Sequence, residues 1–259
     1  MTPQQPASRA KAVLALVLLV LLGALCIGAG QWQLRRAHER EALLAAIEAG
    51  RQAPPQVLDA QHRDGPDWHP ASARGHWLNP LTVLLDNRNL NGQPGLWVAT
   101  PLALADHPGT AVLVLRGWVA RPLPPATLPD LRAAPGPVQV QGTVLHRVPR
   151  LFDLGSLTGR PETALPQPFP AADGQPPRVQ NLPLQALADA TGLDLLPVVL
   201  QQAPAQDAGL TQDWPGPSTN ASQNYNYALQ WFSFAAIALI AAAFTAWRLL
   251  RRSSLGTPT

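Results

Sequence analysis

Two long apolar runs stand near the ends of the chain, and short alternating runs fill the space between them. Residues Ala12 to Gly30 carry no charge and no strongly polar side chain. Trp231 to Trp247 repeat the pattern, with Ala228 to Gln230 leading in. A helix rises about 1.5 Å per residue, so about 20 apolar residues cross about 30 Å of hydrocarbon. Both runs approach that length and predict transmembrane helices over 12–32 and 227–247. The first run is longer than the ~7–15-residue core of a signal peptide and is followed by no clean small-x-small cleavage site. An uncleaved anchor is therefore expected.

Beyond the first run, Leu34 to Ile47 stay in helical register. Leu34, Ala37, Leu43, Leu44 and Ile47 fall roughly on one face, and Gly50 with Pro54-Pro55 stops the helix. This predicts a helical extension over 33–50. The centre reads as strands: Trp77–Asp86, Leu96–Pro101 after the Gly92–Gly95 turn, Ala111–Val119 and Val138–Val148. In the last of these, Val138, Val140, Gly142, Val144 and His146 share one face, and Gln139, Gln141, Thr143, Leu145 and Arg147 share the other. Leu184–Thr191 reads as a short helix ended by Gly192, with a further strand at Leu196–Gln201. Closely spaced short strands suggest an antiparallel sheet or small barrel. The expected fold is a membrane α-hairpin plus a mainly antiparallel β, barrel-like α+β domain over 51–226.

Charge orients this arrangement. All 16 acidic residues lie between Glu39 and Asp213. The loop's fourteen arginines leave it at −2, while Arg9, Lys11, Arg248, Arg251 and Arg252 make the tails +5. Short basic tails stay cytoplasmic, and long domains cross largely regardless of charge. Arg35, Arg36 and Arg40 just past the first span argue the other way, and Glu39 and Glu41 count little in this rule. The balance predicts cytoplasmic tails at 1–11 and 248–259 and a periplasmic domain, in a cell inner membrane. The basic pI, near 9.7, comes from the tails, so no nucleic-acid site is expected. Basic tails beside a bilayer fit anionic lipid.

Composition narrows the chemistry further. Cys26, the single cysteine, lies inside the first span, which leaves no disulfide within the chain and no zinc ribbon or CxxC motif. The 29 prolines cluster at 101–108, 122–129 and 161–177, where loops and strand edges tolerate a missing donor. No GxSxG elbow, P-loop, HExxH or Rossmann fingerprint occurs. His62 and His69 match no metal spacing and read as loop histidines, and His76 reads as a packed residue at a strand start. Asp64 and Asp67 flank Gly65-Pro66 in a turn, where Asp bonds its own backbone. No metal site and no catalytic residue is expected, and the chain reads as a non-enzyme. His38, close to the membrane surface, is one imidazole within reach of a cofactor there.

The informative polar groups sit at the membrane junctions. Trp32, Tyr227 and Trp231 suit headgroup depth because an apolar ring carries a polar edge. Gln230 is an amide in the first turn of a span, and Arg35 and Arg36 stand just outside the other. Intramembrane polar groups face a partner or a site. Paired helices bring Gln230 and Arg35 or Arg36 to one depth, where they can bind each other, a partner subunit or an anion such as a propionate. A guanidinium fork suits a carboxylate.

Gly30-Gln31-Trp32-Gln33-Leu34-Arg35-Arg36, Leu84-Leu85-Asp86-Asn87-Arg88 with Gly92-Gln93-Pro94-Gly95, and Val98-Ala99-Thr100-Pro101-Leu102 occur in order. Val112 to Val119 with its Arg116-Gly117-Trp118, Pro197 with Leu200-Gln201, and Tyr227-Ala228-Leu229-Gln230-Trp231-Phe232 follow. This series resembles the Surfeit locus protein one family of cytochrome c oxidase assembly factors over nearly the whole chain. The resemblance implies a non-enzymatic role in maturing a haem–copper oxidase: helping haem a, held transiently, to reach the catalytic subunit. The alternative is a cofactor-free scaffold holding that subunit. It implies as partners the catalytic subunit, haem a synthase and the bilayer. It makes His38, Arg35, Arg36 and Gln230 the candidate cofactor contacts. Trp32, Arg116, Gly117, Trp118, Tyr227 and Trp231 become candidate motif residues for a partner. The family often shows a histidine three residues before the tyrosine of the second-span motif. Here Asn224 stands there, and a neutral amide is a poor iron ligand. Gly117 marks a bulge or close approach, and Trp118 is either a core anchor or a docking surface.

Overall fold

The computed structural model describes residues 6–123, 125–152, 165–170, 174–204, 209–216 and 220–254. Much of the proline-rich stretch 161–177 lies outside them. The chain divides into a helical unit, Met1–Ala45 with Pro217–Thr259, and a β unit, Ala46–Gly216.

In the helical unit, α1 (Pro6–Arg51) is one continuous helix that includes the predicted extension, and α3 (Ser222–Ser254) is the second long helix. Both are long and apolar enough to cross a membrane. Only 11% and 22% of their most apolar stretches are buried, which sets them apart from the core helices of a soluble protein. Their buried faces are small: Gly23, Cys26, Gly30 and Ala37 on α1, and Ala228, Ala235, Ala238 and Ala242 on α3. Spacings of three, four and seven keep these residues on one stripe, and small side chains let helix backbones approach. A Cβ on Gly30 would stand 2.7 Å from Phe232 Cε1, and one on Gly23 would stand 3.0 Å from Leu239 Cδ2. Toward the other end of α3, Arg248 lies 5.8 Å over the Phe244 ring. Such stems lie along apolar surface while the charge stays wet.

The β unit holds β1 (Gln56–Leu58), β2 (Pro70–Trp77), β3 (Val83–Leu85), β4 (Gly95–Leu104), β5 (Thr110–Ala120), β6 (Pro137–Leu145), β7 (Arg178–Val179), the helix α2 (Leu184–Thr191) and β8 (Asp194–Gln202). The order β2-β6-β8-β5-β4 closes on itself because β4 also pairs with β2, Leu102–Leu104 lying against Gly75–Trp77. The result is a closed mixed barrel. Most pairs are antiparallel, while β5–β8, β1–β2 and β3–β7 are parallel. β1 lies beside the first half of β2, β3 beside the first half of β4, and β7 beside β3.

The barrel interior takes every second residue of its five strands: Ala71 and Ala73, Leu102 and Leu104, Val112 and Val114, Val140 and Val144, and Leu196, Val198 and Leu200. The period-two pattern of β6 is thus the inward face of a barrel strand. A second core covers the outside of β4, β5 and β8, where Leu113, Leu115 and Val199 meet Val83 and Leu85 of β3, Val179 of β7 and Leu187 of α2. Strands buried on both faces read as nearly continuous apolar runs, as Ala111–Val119 does.

Two differences from the sequence reading have local causes. Trp77–Asp86 is not one strand: β2 ends at Trp77, a 3-10 turn occupies Asn79–Leu81, and β3 begins at Val83. Pro80 lies within that turn, where its missing N–H costs nothing. His76 accordingly lies near the end of β2 rather than at a strand start. Pro101 lies inside β4 in the gap between the β3 and β2 pairings. Its carbonyl accepts the Leu78 N–H at 3.0 Å on that side, so the side lacking a donor is the one without a regular ladder.

Candidate functional site

A polar assembly occurs in each unit. In the helical unit it lies at the loop-side ends of the apolar runs. Asn224, 8% exposed, is held from both ends of its amide. Its Oδ1 accepts from Arg40 Nη1 at 2.7 Å, and its Nδ2 donates to Gln33 Oε1 at 2.7 Å. Arg40 Nη1 also donates to the Asn220 carbonyl at 2.8 Å. The next residue, Tyr225, donates its hydroxyl to Glu41 at 2.9 Å. Its ring meets that of His38 edge-on, centroids 6.2 Å apart.

Gln33, Arg40 and Asn224 were not singled out as a set by the sequence reading. The legible signal was register: Cys26, Gly30, Gln33, Ala37 and Arg40 follow spacings of four and three. Two polar residues therefore share the stripe that small residues mark as a helix–helix seam.

The predicted cofactor contacts are placed differently. Arg35, Arg36 and His38 on α1 and Gln230 on α3 are exposed. Arg36 pairs with Glu39 of its own helix at 3.4 Å. The polar links between the two helices are made by Asn224 with Gln33 and Arg40 and by Tyr225 with Glu41, not by Gln230 with Arg35 or Arg36. The difference follows from helical phase, since the latter three project away from the seam. Trp32 and Tyr227 are exposed, and Trp231 is half-buried with its ring 6.2 Å from Phe234.

In the β unit the motif stretches converge on a shared knot. β4 and β5 slip register where Val98 pairs Gly117 and Ala99 pairs Leu115, which leaves Arg116 as the bulged residue. Arg116 is 1% exposed. It donates Nη1 to the Leu131 carbonyl at 2.6 Å and lies 5.3 Å over the Trp77 ring. Gly117 has φ of +158°, and a Cβ there would stand 2.7 Å from Leu210 Cβ. This is the close approach that its sequence context predicted. Trp118, 7% exposed, donates its indole N–H to the Arg88 carbonyl at 2.7 Å. Its backbone exchanges two hydrogen bonds with Thr211, at 2.7 and 2.9 Å.

Arg88 completes the knot. Its N–H bonds the Gly95 carbonyl at 3.1 Å, its guanidinium lies 4.5 Å over Trp97, and Nη2 donates to the Gln180 carbonyl at 3.0 Å. Burial pushes its pKa down to about 10, still charged at neutral pH. Arg121 donates to Asp86 and reaches Asn87 at 3.3 Å. Arg116 and Trp118 are therefore built into the fold, and Trp118 is a core anchor rather than a docking surface. Their convergence explains the motifs: a buried indole or guanidinium needs its partners at fixed places.

Titratable groups also gather at one end of β6. The His146 ring nitrogens stand 2.8 Å from Asp67 and 3.2 Å from Asp64, and its backbone N–H bonds Asp67 at 2.8 Å. The two carboxylates of the Asp64–Asp67 turn thus bracket an imidazole. The hydrogen bond to Asp67 holds the His146 pKa above its ordinary value, and both carboxylates add attraction. A raised value in the fold means that stabilisation is complete below the unfolded pKa of about 6.5. It is lost as pH rises through the folded value. The ring is half exposed, so solvent keeps the gain small. NMR titration is expected to place the His146 midpoint above that of a free imidazole, with Asp67→Asn bringing it back down. An unshifted wild-type midpoint would rule the pairing out. Among the described residues, no three His, Cys, Asp or Glu side chains gather as a metal set.

A "SURF1-like protein" of Monosiga brevicollis is 26% identical over 246 residues, covering 89% of this chain and 87% of that one. The model of the SURF1 family matches residues 20–236, from within the first apolar helix, through the barrel, into the second. Over that span, which takes in the Gln33–Asn224–Arg40 link and the Arg88–Trp118 knot, the chain belongs to the SURF1 family, a family of oxidase assembly factors.

Proposed function

We propose that this membrane protein assists the maturation of a haem–copper oxidase of cytochrome c type, helping haem a to reach or enter the catalytic subunit. The observation that carries this reading is the family match across both membrane-capable helices and the barrel together. The catalytic subunit, haem a synthase and the bilayer are the proposed partners. The proposed placement is the cell inner membrane, both termini cytoplasmic and the barrel periplasmic, supported by the basic tails and the acidic loop. The chain is proposed to have no turnover of its own. Arg116 and Trp118 are buried parts of the fold, and the sequence has no nucleophile–base pattern.

Within this reading, His38 with Arg35 and Arg36 offers exposed groups for a cofactor at the membrane surface. Gln230 offers an exposed amide at the start of the second span. A second reading, a cofactor-free scaffold for the nascent subunit, is favoured by Asn224 standing where relatives often carry histidine.

Deletion of the gene is the direct test. The expected result is an oxidase with near-normal subunit amounts but several-fold less haem a and less activity. Normal haem a content and activity in the deletion strain would remove the proposal. Co-purification of the catalytic subunit without any haem signal would select the scaffold.

A further inference from the structure

We propose that Gln33, Asn224 and Arg40 form a closed clasp that fastens α3 to α1 and withholds position 224 from iron. Any haem the protein handles is then bound without a ligand from position 224. The argument begins with donor and acceptor inventories. Arginine only donates, so the Asn224 oxygen must face Arg40 and its NH₂ must face away. That NH₂ meets Gln33 Oε1 at 2.7 Å. The amide orientation is therefore fixed by chemistry, and both ends of the side chain are in use. The bond from Arg40 is charge-assisted, the stronger kind, and the same Nη1 holds the Asn220 carbonyl just before α3 begins.

Breaking such a link is costly because it leaves a polar group buried: Asn224 is 8% exposed. Iron in haem is held by imidazole, thiolate, thioether or phenolate, and position 224 supplies none of these. His38 is the one histidine of the helical unit, and it lies on α1, exposed, with its ring against Tyr225. Tyr225 itself spends its hydroxyl on Glu41. The residues at the seam thus do not fit the iron ligation implied by the family pattern. What they do fit is a register lock: two ties to α1, seven residues apart on that helix, meet at one residue of α3.

This deepens the assembly-factor reading, but its test uses no oxidase and so stands or falls separately. The full chain in detergent is titrated with ferric haem b and with haem a. Visible spectra and melting are recorded for wild type, Asn224→Ala, Arg40→Ala, the double variant, Asn224→Asp and His38→Ala. Asn224→Ala and Arg40→Ala are each expected to lower the melting temperature by about 5 °C. The double variant is expected to lose clearly less than the two losses added, because both singles break the Arg40–Asn224 bond. Asn224→Asp, which keeps an acceptor for Arg40, is expected to recover most of the loss. The haem spectrum, band or no band, is expected to be the same in wild type and Asn224→Ala. A wild-type haem band that vanishes in Asn224→Ala and survives in His38→Ala would overturn the proposal. So would strictly additive melting losses.

Discussion

Gly75→Val is expected to lower stability by about 3 kcal/mol or more, because the barrel closes on this glycine. Gly75 lies in β2 at the point where pairing passes from β6 to β4, opposite Val138 on one side and Leu104 on the other. A Cβ there would overlap the Ala103 carbonyl and come within 3.1 Å of Leu102 Cγ. The first obstacle is backbone rather than a flexible side chain, so relief requires β4 to move. Moving β4 opens the β2–β4 pairing, three residues long. A change of about 3 kcal/mol in a domain of this size shifts melting by roughly 10 °C. Circular dichroism melting of the detergent-purified chain measures it. A valine variant that melts within a degree or two of wild type would show that the barrel is not shut at this point.

Trp118→Ala is expected to cost about 4 kcal/mol, within the usual range for removing a buried large aromatic. Two effects add. The indole fills the space over Gly95, where a Cβ would overlap the Trp118 ring. Its N–H also satisfies the Arg88 carbonyl. Trp118→Phe separates them: it keeps most of the apolar volume but leaves that carbonyl without its donor, at about 1–2 kcal/mol. Tryptophan fluorescence and urea unfolding provide the measurement, with the alanine variant expected to lose at least twice as much as the phenylalanine one. Equal losses would mean that the hydrogen bond, not the packing, dominates. Since Arg88 also rests on Trp97 and bonds Gln180, the alanine variant is further expected to expose Arg88.

These two sites differ in how visible they were beforehand. Trp118 was marked by its Arg-Gly-Trp context, although burial against Gly95 had to be seen to choose core anchor over docking surface. Gly75 stands next to His76 and carries no mark of its own in the sequence. Nothing local distinguishes a glycine where two strands cross from a glycine in a turn. The decisive neighbour, Ala103, is 28 residues away and approaches through its backbone, which has no side-chain signature.

The same division runs through the helices and the seam. The two spans, the helical extension to Gly50 and the inward stripe of β6 were all readable, because each rests on a local period of 3.6 or 2. Gly192 as a helix stop was readable too: it adopts φ of +70° and bonds Ala188. The Trp77–Asp86 run was misread because apolar content alone does not show a chain break at Pro80.

The pairing of Asn224 with Gln33 and Arg40 joins residues some 190 positions apart, and no periodicity within either helix chooses the partner. Runs of greasy residues, turn formers and the charge of the tails state what each segment prefers, since those preferences are summed over neighbours along the chain. Which polar atoms meet is a question of phase and depth between segments. Folding answers it by leaving few buried donors without acceptors. For this protein that answer joined Asn224 to Gln33 and Arg40, and it put the Arg116 and Trp118 side chains in the core.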